Sequence, residues 1–276
     1  VQVLHHIYPD WRSRPGSPII NFFGFLFQRF SLYLIRKRAD IIIVLNDNVR
    51  NWLIKEGVPP ERIFLSSNAI DSMGFKSKLP IQFDAVYLGR IDPTKGSNDF
   101  IPIWDFVCHQ NSKAKLALIG TITPSEKQKL LSEISKSGLD KNIKIFGFLK
   151  VSEVQQILSS SKIFIFPSHE EGWGIAIAEA MSYGLPVVCW KLDNLTKVFF
   201  DHPCYAVPFD YHDFSHQVLE LLDNSREAES IGAKNADFVK KFSWEKVAST
   251  EFEKIKSALV CNNKTTKILH SITHDK

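Results

Sequence analysis

The sequence lacks most of the signals that announce a function at once. Its four cysteines, Cys108, Cys189, Cys204 and Cys261, are too far apart in sequence for a metal knuckle or a Cys-x-x-Cys redox pair. Cys108 and Cys189 lie in apolar segments and read as small buried hydrophobes, which suits a reducing compartment. There is no Asp-x-Asp pair of the kind that often holds a divalent metal, and no internal repeat or low-complexity tract. No signal peptide is visible. An uninterrupted apolar run of about 20 residues, the length needed to cross a bilayer, is also missing. The apolar, aromatic stretch within residues 11–38 is broken by Asn21, Gln28 and Arg29, so a span is not expected there. Charge is nearly balanced, with 34 Lys and Arg against 30 Asp and Glu, a net +4. Such a mild excess gives no argument for nucleic acid as a partner. It leaves open phosphate-bearing small molecules and an anionic membrane face.

What the sequence does have is alternation. The 276 residues, 44% of them hydrophobic, suffice for one large domain or two ordinary ones. From "FDAVYLGR" at residue 83, short β-branched strands alternate with amphipathic helices. The strands are "AKLALIG", "IKIFGFL", "KIFIFPS", "LPVVCW" and "CYAVPF". This pattern predicts a doubly wound parallel sheet with helices on both faces. Before it, "VQVL", "ADIIIVLN" and "ERIFLSSNAI" read as strands, with Asp47 placed to cap the helix that Gly57 ends. A linker is expected over 71–81. The front piece has only half the content of such a domain, so roughly 100 residues of a first domain are expected upstream of Val1, within the usual domain size. The expected organisation is therefore 1–75 as the second half of one Rossmann-like domain, 76–243 as a complete one, and 244–276 as a C-terminal helix with a polar tail.

In open parallel sheets, ligands sit beyond the carboxyl ends of the strands. Two loops there carry chemistry. "GRIDPTKG", residues 89–96, places Arg90 and Lys95 on one loop after a strand. Arg offers a fork for phosphate oxygens and Lys a point charge. As an isolated pair they would read as a solvated turn; the position after a strand favours a site. "HEEGWGIAIAEAMSYG", residues 169–184, brings Glu171 to a helix entrance beside Gly172 and Gly174, whose backbone amides suit an anion. Glu179 lies eight residues on, a little over two helical turns, among apolar neighbours. Glu171 alone would pass for an ordinary first-turn acid, worth about 0.3–1 kcal/mol against the helix dipole. Glu179 is harder to explain as surface. His169 reads as a loop residue and Glu170 as surface. Trp173 either packs or shapes a pocket. Carboxylates that bind adjacent hydroxyls, set around a phosphate held by cations, describe a nucleotide-sugar.

"EGWGIAIAE" resembles the E-x7-E motif of retaining glycosyltransferases of family 4, with the GT-B fold of two Rossmann-like domains. "YLGRIDPTKG", "LSSNAIDSMGF" (with Ala69 where the family usually has Gly) and "FSWEKVASTEF" are similar to further segments of that family, and the resemblance runs over about residues 1–260. It implies sugar transfer from a nucleotide-sugar to a glycan or lipid-linked acceptor, in polysaccharide biosynthesis, with retention of anomeric configuration and no metal or other cofactor. Arg90 and Lys95 would hold the diphosphate and stabilise the leaving group. Glu171 would bind the donor sugar and Glu179 the ribose. Backbone amides around Gly172, Trp173 and Gly174 would orient both. A His after a strand of the first domain would lie near the sugar; His5 fits best, with His6 as the alternative. The family's early glycine-rich loop has no counterpart here, so a non-catalytic nucleotide-sugar-binding subunit is the alternative function. A dinucleotide enzyme is disfavoured, because "GWGIAIA" lacks the third glycine of that fingerprint. The stretch 11–38, with Trp11, Arg12 and Arg14, reads equally as interdomain packing or as a peripheral membrane contact. The expected location is the cytoplasm, including its membrane face.

Overall fold

The computed structural model describes residues 1–4, 17–71 and 79–261. His5, His6, Trp11, Arg12 and Arg14 lie outside the described residues, as does most of the 71–81 linker. The chain divides into two compact units, Val1–Ala69 with Trp244–Lys276, and Ile70–Ser243.

The first unit holds a three-stranded parallel sheet of β1 (Gln2–Leu4), β2 (Ile42–Val44) and β3 (Ile63–Leu65), in that order. The β-branched run at 41–45 is buried throughout, as a strand covered on both faces requires. Helix α2 (Asp47–Lys55) is capped by Asn46, whose side chain accepts from the Val49 amide at 2.9 Å. The expected cap, Asp47, is instead the first helical residue. Either side chain could satisfy the orphan amide, and the extended backbone at Asn46 decides which does.

Helix α1 (Pro18–Arg38) runs unbroken for 21 residues. Asn21, Gln28 and Arg29 do not interrupt it, since each is tolerated in a helix. By length and composition α1 could cross a membrane, with a mean hydropathy of 1.3. One face, however, is packed into the unit. Leu32 joins the core cluster of Ile42, Val44 and Leu53, and Asn21 is buried. Arg29 also pairs with Glu56 at 2.8 Å. The C-terminal helix α10 (Trp244–Cys261) belongs to this unit, with Ser66 donating to Glu251 at 2.5 Å.

The second unit alternates strictly. Its strands are β4 (Phe83–Leu88), β5 (Leu116–Ile119), β6 (Ile143–Gly147), β7 (Ser161–Phe166), β8 (Val187–Trp190) and β9 (Cys204–Ala206). Between them lie α3 (Phe100–Gln110), α4 (Pro124–Lys136), α5 (Val151–Ser159), α6 (Ile175–Ser182) and α7 (Asp193–Phe199). Helices α8 (Tyr211–Asp223) and α9 (Ser225–Val239) close the unit. All pairings are parallel and the order is β6-β5-β4-β7-β8-β9. The order reverses direction at β4 and β7, so the loops after these two strands flank the crevice where doubly wound sheets bind ligands. Cys189 is buried as expected. Cys108, in α3, is only partly buried.

Candidate active site

The loop after β4 is shaped by Asp92, a residue that the sequence alone does not single out. Asp92 accepts from the amides of Thr94 (3.0 Å) and Lys95 (3.3 Å) and pairs with Arg90 at 3.1 Å. A short 3-10 turn, Pro93–Lys95, results. Buried Tyr87 donates to the Arg90 carbonyl at 2.6 Å and holds the start of the loop. Its own phenol pKa is pushed far up, first by burial and then by the charges of Glu171 and Asp92.

The loop after β7 meets the first loop directly. Lys95 Nζ donates to Glu171 Oε1 at 2.5 Å and to the Glu170 carbonyl at 2.9 Å. The Ser168 hydroxyl lies 3.1 Å from the same carboxylate oxygen, and Asn194 Nδ2 donates to the Glu171 carbonyl at 2.7 Å. The Lys95 and Glu171 side chains are 20% and 11% exposed, so the pair is largely desolvated yet open on one side. Arg90, at 65% exposure, is the outer cation. Ser168 and Asn194 carry no sequence signal, since their roles depend on which backbone turns face each other.

Glu171 and Glu179 are not on one helix. Helix α6 begins at Ile175, after Gly174 in a left-handed conformation (φ 93°). The two-turn spacing expected from the sequence does not apply, because residues 171–174 form the entry loop. No side chain caps this helix start. The Trp173 indole is buried in an aromatic cluster, edge-on to Phe199 at 5.5 Å and to Phe242 at 4.9 Å. It packs, and only its backbone is available to a ligand.

Glu179 lines a separate cavity of about 520 Å³. Leu88, Phe148, Lys150, Val154, Tyr183 and Asp71 share its wall. Burial, and then the nearby Asp71, raise the Glu179 carboxyl above its usual range. A raised folded value means that the protonated form carries stability at low pH and that this stability is lost as pH rises through the folded value. Glu179→Gln is therefore expected to raise the melting temperature at pH 7 in the absence of ligand. The gain should vanish at about pH 3.5, below the unfolded carboxylate value of about 4.3. Calorimetric scans at the two pH values check this; an equal gain at both would remove the electrostatic explanation.

Among the described residues, no three His, Cys, Asp or Glu side chains gather as a metal site. His169, read from sequence as a loop residue, donates from its ring to buried Asp99 at 2.7 Å.

The arrangement is a crevice between two strand-end loops of a doubly wound parallel sheet. Residues 74–238 match the family described as "Glycosyl transferases group 1", and the chain belongs to that family. It is 25% identical over 228 residues to the O-antigen chain mannosyltransferase B of Escherichia coli, covering 78% of this chain and 60% of that protein. It is 24% identical over 256 residues to the capsular polysaccharide biosynthesis glycosyltransferase CapM of Staphylococcus aureus, covering 81% and 65%. The chain thus spans less than two thirds of these relatives. HepE of Anabaena, solved with UDP, superposes with a TM-score of 0.77 at 18% identity, over 92% of this chain and 71% of that one. TarM of S. aureus, solved with fondaparinux, alpha-GlcNAc-glycerol and UDP, superposes with 0.74 at 20% identity, over 91% and 50%. The fold is the GT-B fold, with its Rossmann-like parallel sheets.

Proposed function

We propose that this protein transfers a sugar from a nucleoside-diphosphate sugar to a glycan or lipid-linked acceptor, with retention of anomeric configuration. The observation that carries this reading is the Lys95–Glu171 pair at the β4/β7 crevice; the cavity that contains Glu179 is lined by Leu88, at the end of β4. The donor enters by substitution. Sugar hydroxyls take the place of Lys95 on Glu171, and a phosphate oxygen takes the place of Glu171 on Lys95. Neither charge is left without a partner at any stage, which keeps the exchange affordable in a desolvated site. As the bond to the sugar breaks, negative charge grows on the β-phosphate. Lys95, Arg90 and the uncapped start of α6 meet that charge. Phe148, an exposed residue of the cavity lining, offers a stacking face for the base, and Glu179 accepts from the ribose hydroxyls. No metal or cofactor is assigned to the step.

UDP or GDP is expected to bind without added metal. Glu179→Ala should weaken that nucleotide at least about 10-fold, as loss of a hydrogen bond to a charged group does, and leave pyrophosphate affinity nearly unchanged. Equal losses for both ligands, measured by calorimetry, would contradict the ribose role.

Ile19, Phe23, Leu26, Phe30 and Tyr33 recur along α1 at helical spacing, and all are exposed. Phe23 and Phe27 are exposed by 64% and 72%. The last turn carries Arg36, Lys37 and Arg38. An outward apolar face with a basic end suits docking on an anionic membrane at the cytoplasmic face. Co-sedimentation with phosphatidylglycerol-containing vesicles is expected, with weaker binding to pure phosphatidylcholine. Phe23→Ser with Phe27→Ser should cut binding at least about 10-fold, given about 1.5–3 kcal/mol per fully buried Phe. Retained binding in the double variant would remove α1 as the docking face.

A further inference from the structure

Asp99 is the N-cap of α3, yet its carboxylate does not cap the helix. Asp at this position ordinarily accepts from a first-turn amide. Here it turns away. Its Oδ2 accepts from His169 Nε2 at 2.7 Å and from Trp190 Nε1 at 3.1 Å, and the Tyr211 hydroxyl lies 3.4 Å from Oδ1. The carboxylate is 2% exposed. Burying an anion is costly unless it is paired and hydrogen-bonded. Of its three side-chain partners only His169 can carry a positive charge.

His169 lies two residues before Glu171, on the loop after β7. Its amide donates to the Thr94 carbonyl at 3.1 Å, next to Lys95. Its ring reaches past that contact to Asp99, where the Lys95 loop enters α3. Phe209 covers the imidazole edge-on at 4.8 Å. One residue is thus fastened at both its backbone and its ring to the loop that carries the cation, while its chain neighbours carry the carboxylate and carbonyl that receive that cation. Trp190 and Tyr211 hold the carboxylate from β8 and from the start of α8, so the anchor belongs to the rigid sheet.

We propose that His169, pinned by Asp99, is a positioning residue that locks the loop bearing Glu171 against the loop bearing Lys95. The lock fixes where the carboxylate meets the donor sugar. This last step rests on the sugar-transfer reading above; the lock itself does not. His169 touches neither phosphate nor sugar in this scheme.

Amide hydrogen exchange on the ligand-free chain tests the lock. His169→Ala should speed exchange across residues 168–174 at least 10-fold and leave β5 unchanged. His169→Gln, whose side-chain amide can donate to the same carboxylate, should stay close to wild type. Unchanged exchange in the alanine variant, or a glutamine variant as fast as alanine, would overturn the proposal. Calorimetry with UDP, GDP, UDP-glucose and GDP-mannose tests the consequence. For the pair that wild type binds, His169→Ala should lose at least 10-fold in affinity for the nucleotide-sugar and less than about 2-fold for its nucleoside diphosphate, with recovery in the glutamine variant. Equal losses for both would overturn the positioning role. If wild type binds none of the four, the sugar-transfer reading fails, and the exchange data alone decide for or against the lock.

Discussion

Replacing Arg90 and Lys95 together by alanine is expected to lower UDP or GDP affinity by about 100- to 10,000-fold. Hydrogen bonds to charged groups contribute about 1.5–3 kcal/mol each, and two are removed. The contributions should be unequal. Lys95 is the more buried cation, already shares its charge with Glu171, and would meet a phosphate with little water around it. Arg90 projects into solvent, where screening weakens it. Lys95→Ala alone should therefore account for most of the loss and Arg90→Ala for the smaller share. Removing Lys95 also leaves Glu171 largely buried without its cation, so the ligand-free variant should be measurably less stable than wild type. Arg90→Ala should not share that defect. Calorimetric titration with each nucleotide, alongside a thermal melt, separates these effects. A double variant that binds within about 3-fold of wild type, against the at least 10-fold expected from a single charged hydrogen bond, would end the diphosphate assignment.

Gly96→Ala is expected to be the most damaging single substitution at the site. Gly96 has φ +80°, and a Cβ built there would lie 2.0 Å from the Pro167 carbonyl oxygen and 2.8 Å from its carbon. Both obstacles are backbone, at the start of the loop that carries Glu171. The alanine can be accommodated only by separating the two loops. That breaks the Lys95–Glu171 contact and the His169–Thr94 amide bond together. A loss of at least about 3 kcal/mol is expected, combining backbone strain with displacement of packed backbone. Gly138→Ala is the matched comparison. Gly138 has φ +68° but nothing within 4 Å of an added methyl, so it should cost only about 1 kcal/mol, from backbone preference alone. Urea unfolding of the two variants measures the difference. Similar costs at both positions would mean that the two loops can part freely, and the site would then lack the rigidity attributed to it.

Much of the second unit is legible from local patterns. Buried parallel strands read as apolar β-branched runs, and Pro124 and Gly138 mark the ends of α4. The pairing of "GRIDPTKG" with the loop after "FIFPS" follows from a general rule about strand ends. Other features have no such local signature. Glu171 lies in the entry loop and not on α6 with Glu179, because glycines at 172 and 174 fit either a helix entrance or a loop, and only the left-handed backbone at Gly174 tells them apart. Trp173 is ambiguous because an aromatic residue looks the same in a sequence whether it lines a pocket or fills a core. Asp99 resembles an ordinary helix cap. Its partner His169 is 70 residues away, and spacing gives no hint of that contact.

The sequence by itself determined the elements, their parallel alternation and the two loops that carry the charged residues. Those follow from periodicity and from turn chemistry, which act over a few neighbouring residues. Only the tertiary structure decided that Lys95 sits on Glu171, that Glu179 faces a separate cavity, that α1 turns its apolar face outward, and that Asp99 reaches for His169. Each of these depends on which surfaces the sheet brings together. The energy of a buried charge is set by the groups that surround it in space, wherever they lie along the chain.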